Sequence, residues 1–224
     1  GYKVRVFDFK ALPYEIPDVE FIKGDLNKLE SINQACKGIE IIFHLAAFAY
    51  LDKAKDTPLK TMKVNVMGTT NLLEAACKNK VKQVIFSSSI YVHSRTGGFY
   101  RVSKHSCELL LEEFYNRYGL NYTILRFGTL YGPHADESNS VYYYLKEALF
   151  KGEIIAIGNG DEIREYIDVR DAADVCVKIL KEGYQNETLI LTGNHRMRLI
   201  ELLEMINEIL VAGKKSPRES KDLL

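Results

Sequence analysis

The sequence predicts an α/β fold built as a doubly wound parallel sheet with helices on both faces. Two observations carry this. Strand-like and helix-like segments alternate along the whole chain, the pattern of βαβ units. The strands "IEIIFHLAA" and "VKQVIFSSS" are apolar without alternation, as strands covered on both faces must be. Sheets of this kind bind ligands at the carboxyl ends of their strands.

"GYKVRVFDF" opens the chain as a strand over Lys3 to Phe7, with Asp8 just past its end. "VEFIKGDL" is a second strand running into a turn. "NKLESINQACKG" has helical spacing, with Leu29, Ile32, Ala35 and Cys36 on one face. After the buried strand "IEIIFHLAA" comes a long helix, "LKTMKVNVMGTTNLLEAACKNK", and then the strand "VKQVIFSSS". A helix carrying Tyr100 and Lys104 leads to the strand "NYTILRF", the loop "GTLYGPHADESN" and the helix "SVYYYLKEALFKG". "EIIAIGNG" and "REYIDV" read as short strands. "RDAADVCVKILKE" and "LIELLEMINEILVAGK" read as helices, with the strand "ETLILTG" between them. The closing "GKKSPRESKDLL" is polar and reads as frayed.

The chain has 224 residues, 46% of them hydrophobic, enough for one sizeable core. Thirty basic and thirty acidic residues cancel, and no basic run points to nucleic acid. No stretch reaches the roughly 18 apolar residues of a membrane helix, and no secretory signal is expected. Cys36, Cys77, Cys107 and Cys176 lie in apolar contexts without a C-x-x-C pair, and read as reduced thiols of a cytoplasmic protein. The five histidines lack metal-ligand spacing, so no metal site is expected.

Tyr100 and Lys104 in "YRVSK" stand four apart and share a helix face. An ammonium beside a phenol favours the phenolate, lowering a pKa that is ordinarily about 10. A tyrosine so tuned can exchange a proton with a carbinol near neutral pH. Shortly before it, "VIFSSS" puts hydroxyls at the end of a strand. Spacing alone would leave these as two polar helix residues and a polar turn.

Taken together and in order, these segments resemble the extended short-chain dehydrogenase/reductase family. Within it they are similar to the NAD-dependent sugar epimerase/dehydratase group, of the UDP-glucose 4-epimerase kind. The resemblance covers essentially the whole chain and implies a Rossmann-like fold with a small C-terminal substrate-binding lobe. It divides the chain into an NAD-binding domain over 1–130 and a lobe over 131–224, with segments around 164–192 returning to the sheet. In "VRVFD" it makes Asp8 the acid that takes the adenosine ribose hydroxyls, favouring NAD over NADP. "GDL" puts Asp25 and Leu26 at the adenine. "HLAAFA" brings Ala46 and Ala47 against phosphates and ribose, with His44 as a packed residue. "NVMGTT" carries Asn65 near the active centre, on the cofactor side. "VIFSSS" gives Ser87 to the cofactor and Ser89 to catalysis and substrate. Tyr100 and Lys104 become the catalytic tyrosine and lysine, both also touching the cofactor. "REYIDVRD" gives Arg164 to the nucleotide-sugar phosphate, for which a guanidinium fork is suited. Glu162 and Asp168 are its alternative partners.

The resemblance implies an NAD-dependent epimerase acting on a nucleotide sugar, with a dehydrogenase or reductase of a related substrate as the second reading. A dinucleotide-binding sensor without turnover is the third. Dehydratases of the group carry an Asp-Glu pair directly after the catalytic serine or threonine, where this chain has Ile90 and Tyr91. The group also implies a homodimer through a four-helix bundle, with the Asn65 and Tyr100 helices as candidates. Leu109, Leu110, Phe114 and Tyr115 are their apolar residues.

Two features depart from the family pattern. Its opening strand and G-x-x-G-x-x-G, whose amides hold pyrophosphate, are not in this sequence. A sheet lacking that strand would leave unpaired backbone, so the element is expected to precede Gly1. Only ten residues separate Ser89 from Tyr100, where a longer lid is expected, so "HSRTGGFY" reads as spliced.

Overall fold

The computed structural model describes residues 1–13, 15–49, 56–95, 97–156, 159–181 and 183–214, with side chains to residue 210. The chain forms two compact units, one of Gly1–Arg126 and Glu182–Leu189, the other of Phe127–Lys181 and Ile190–Leu224.

In the first unit β1 (Val4–Asp8) runs parallel to β2 (Val19–Lys23), with Val4 opposite Val19 and Asp8 opposite Lys23. The turn after β2 folds back onto the end of β1, where the Gly24 amide donates to the Asp8 carbonyl at 2.9 Å. Only glycine fits there, because a Cβ on Gly24 would lie 2.1 Å from the Phe7 ring and 2.2 Å from Ser31 Oγ. Helix α1 (Leu29–Cys36) follows and buries Ile32, Ala35 and Cys36, three of the four residues its spacing predicts; Leu29 stays exposed.

β3 (Ile41–His44), β4 (Gln83–Ser89), β5 (Asn121–Phe127) and β8 (Glu187–Leu191) form a four-stranded sheet in the order β3-β4-β5-β8, with β3 and β4 parallel. β1 and β3 belong to different sheets. The predicted long helix is three pieces: α2 (Pro58–Thr61), a π-helical turn (Met62–Met67) and α3 (Gly68–Lys78). Helix α4 (Gly98–Tyr118) runs from Gly97 at φ +98° to Gly119 at φ +68°, left-handed positions that glycine occupies without strain. Leu72, Leu73, Val84, Phe86, Cys107, Leu111 and Ile124 close the core between sheet and helices.

A 3-10 turn (Ile90–His93) follows Ser89 directly, the Ser94 amide donates to Tyr91 O at 2.9 Å, and Arg101 Nη1 donates to Ser94 O at 2.9 Å. The 3-10 turn after Ser89 is thus tied to α4 through Ser94.

The second unit holds β6 (Thr129–Tyr131), β7 (Ile163–Asp168) and β9 (Arg196–Arg198), with β6 parallel and β9 antiparallel to β7. β6 and β9 fall where the sequence reads as loop. "EIIAIGNG" is not a strand over 153–156, and residues 157–158 lie outside the described residues. Helix α5 (Ser140–Lys151) is capped by Asn139, whose Oδ1 accepts from the Val141 and Tyr142 amides at 3.1 Å. α6 (Val169–Lys178) is capped by Asp168, and α7 (Leu199–Lys214) packs Leu199, Leu202 and Ile206 against Val141. The polar segment 215–224 lies outside the described residues.

Candidate active site

β4 ends in Ser87, Ser88 and Ser89, and α4 lies against it. Lys104, 2% exposed, points from α4 to the strand end, where its Nζ donates to the Ser87 carbonyl at 2.5 Å. The ammonium stands 4.7 Å from the Phe86 ring centre and 5.8 Å from that of Tyr100. Ser89 is buried, and its Oγ accepts from the Tyr91 amide at 3.3 Å. Tyr100 is half-buried, one helical turn before Lys104. Ser89, Tyr100 and Lys104 therefore all belong to the β4–α4 junction.

The electrostatics differ from the sequence expectation. Burial pushes the Tyr100 phenol up to about 12, with Tyr91 adding to the rise. Burial pulls Lys104 down to about 8, opposed by Cys107 and Glu108. The ammonium faces a ring and a carbonyl, so desolvation outweighs the attraction that was to lower the phenol.

Asn65 sits in the π-helical turn. Its Oδ1 accepts from the Phe48 amide at 2.6 Å, and its Nδ2 donates to Phe48 O at 3.2 Å and Ser103 Oγ at 2.9 Å. Its amide is committed to the protein, and it fastens the loop carrying Ala46 and Ala47 to α4. In that loop Ala46 is exposed and Ala47 half-buried. His44 is a packed residue, as expected. It is 4% exposed, 5.5 Å from the Phe86 ring, with Nε2 2.8 Å from Thr69 Oγ1. Thr69 spends its own proton on Asn65 O at 2.6 Å, so His44 is the donor to Thr69. Burial lowers its pKa to about 3, with Lys104 contributing.

Asp8 ends β1 half-buried, with Oδ1 accepting from the Lys10 amide at 2.8 Å; among the described residues no donor meets its second oxygen. Asp25 and Leu26 lie half-buried in the adjacent turn. Asp25 Oδ1 accepts from the Asn27 backbone and side chain at 2.9 Å, which lowers its pKa. Asn71 donates to Leu26 O at 2.9 Å and fixes that turn to α3. These residues fit a dinucleotide. Asp8 offers an acceptor to ribose hydroxyls, and Lys104 has one acceptor for three N–H bonds.

Arg164 lies half-buried on β7 in the second unit. Asp168, one of its two alternative partners, is taken by Arg170 at 2.7 and 2.9 Å. Sequence reading missed Glu108 and Arg126. Arg126 Nε and Nη2 donate to the two Glu108 oxygens at 3.0 and 2.7 Å, and Ser88 Oγ donates to Glu108 at 2.5 Å. The available signal was the spacing, since Tyr100, Lys104 and Glu108 are successive fours on one helix face.

Among the described residues no group of three or more His, Cys, Asp or Glu is placed to hold a metal ion. No described helix is long and apolar enough to cross a membrane.

A parallel α/β sheet with serine, tyrosine and lysine gathered at one strand end, and an acid closing β1, is the architecture of a dinucleotide-dependent enzyme. The model of the NAD-dependent epimerase/dehydratase family matches residues 1–191. The chain belongs to that family; it is an enzyme fold with NAD as cofactor. It is 26% identical to a putative UDP-glucose 4-epimerase of Methanocaldococcus jannaschii, over 92% of this chain and 74% of that protein. It is 26% identical to a UDP-glucuronate 4-epimerase of Thermodesulfobacterium geofontis, over 89% of this chain and 66% of the relative. Among solved structures, the UDP-glucose 4-epimerase of Thermotoga maritima with UDP-glucose superposes at a TM-score of 0.86. It is 26% identical, covering 100% of this chain and 80% of that one.

Proposed function

We propose that the chain is an epimerase that inverts a carbinol carbon of a nucleotide-linked sugar, C4 being the favoured position. The observation that carries this is the β4–α4 junction, where Ser89, Tyr100 and Lys104 share one strand end. The names of the similar proteins above support the substrate class. The hydrophobic Ile90 and the phenol of Tyr91 supply no carboxylate pair for loss of water.

NAD, when bound, supplies a hydride acceptor that can return what it takes. Asp8, Asp25, Leu26, Ala46, Ala47, Asn65 and Ser87 are the residues proposed to hold it, with Tyr100 and Lys104 at its reactive end. Tyr100 Oη takes the proton of the sugar hydroxyl as the carbon is oxidised and gives it back on reduction. Ser89 Oγ donates a hydrogen bond to the same oxygen as it becomes a carbonyl. Because burial holds Tyr100 protonated in the free enzyme, the base form needs positive charge beside it, and Lys104 is the cation this chain provides. Arg164 is proposed for the sugar-nucleotide phosphate. We further propose a cytoplasmic homodimer through helices. Leu109 and Tyr115 on α4 are 54% and 40% exposed, while Leu110 and Phe114 pack on the core.

The test is incubation with NAD and a panel of nucleotide-linked hexoses, following reduced nicotinamide and sugar identity together. New epimer without net reduced cofactor is the expected result. Net reduced cofactor would make the protein a dehydrogenase instead, and silence with NAD bound would favour a non-sugar substrate or a sensor.

A further inference from the structure

We propose that Glu108, held by Arg126, is a positioning residue that sets both the place of Ser89 and the charge of Lys104. The proposal rests on the reading of Ser89, Tyr100 and Lys104 given above.

Two successive turns of α4 grip two successive residues of β4. Lys104 Nζ takes the Ser87 carbonyl and Glu108 Oε1 takes the Ser88 hydroxyl, each at 2.5 Å. The next residue along the strand is Ser89. Arg126, on the neighbouring strand β5, clamps both Glu108 oxygens, so the carboxylate joins β4, α4 and β5 at one point. Glu108 is 2% exposed. Burying such an ion pair gains little over well-packed apolar side chains, so stability alone does not account for it. A carboxylate one helical turn from a buried ammonium does have an effect on function: it favours the charged form that desolvation opposes.

The groups facing Lys104 can be named element by element. From α4 come Tyr100, Cys107 and Glu108; from β3, His44; from β4, the Ser87 carbonyl and the Phe86 ring; from β5, Arg126 through Glu108. Burial keeps His44, Tyr100 and Cys107 uncharged near neutral pH. Among the described residues Glu108 is the anion of this set and Arg126 its counter-charge.

The experiment is an NMR titration of the Lys104 side chain by its 13Cε shift, assigned with Lys104→Arg, in the full chain. It is run on the wild type and on Glu108→Gln, Arg126→Met and Arg126→Lys. Glu108→Gln is expected to move the Lys104 midpoint down by about one pH unit, and Arg126→Met to move it up. Arg126→Lys, which keeps the charge, stays near wild type and covers the case in which Arg126→Met does not fold. In turnover, kcat of Glu108→Gln falls roughly tenfold with KM within about twofold, and its alkaline limb follows the titration. A Lys104 midpoint unmoved by Glu108→Gln overturns the proposal, whatever happens to melting temperature. Wild-type protein inactive on every sugar would overturn the epimerase reading alone, because the titration is read without substrate.

Discussion

Tyr100 and Lys104 show what burial does to a functional pair. Each is pushed toward its neutral form, the phenol up to about 12 and the amine down to about 8. Tyr100→Phe is expected to lower turnover by about 10²–10⁴-fold, the range of general acid–base catalysis, with NAD affinity unchanged. Rapid-quench turnover and calorimetric titration of NAD check the two halves. Lys104→Met should abolish turnover yet raise stability by about 1–3 kcal/mol at pH 7, since it removes a desolvated charge. Denaturant midpoints of the two proteins decide that. His44 gives the acid limb. Its folded pKa of about 3 lies below the ordinary 6.5, so the unfolded chain binds the extra proton. The stability it contributes is complete above pH 6.5 and is lost as pH falls toward 3, amounting to a few kcal/mol. Urea unfolding from pH 7 to pH 4 should show this loss, and His44→Gln should flatten it.

At the scale of elements, the segments that were legible are those whose pattern is local. Strands β3 and β4 announce themselves by unbroken apolar runs, and α4 by the four-residue spacing that puts Tyr100 and Lys104 on one face. The π-helical turn at Met62–Met67 was not legible, because "MKVNVM" has ordinary helical composition. Within it Asn65 meets Phe48 and Ser103, contacts remote in sequence that no local pattern announces. β9 was missed for the same kind of reason, as "RMR" becomes a strand only by pairing with β7. Glu108 passed unread, because its partner Arg126 lies on another strand. Glycines gave partial guidance. Gly24→Ala should destabilise the first unit by about 1–3 kcal/mol through overpacking against Phe7. A thermal melt checks this, and weaker NAD binding should accompany it because Asp8 and Asp25 flank that turn.

At the scale of the whole molecule, the parallel sheet of the first unit is in two pieces, β1-β2 and β3-β4-β5-β8. The division into an NAD-binding part over 1–130 and a lobe over 131–224 remains a proposal. Limited proteolysis is its test, and early cuts near residue 130 are the expected result.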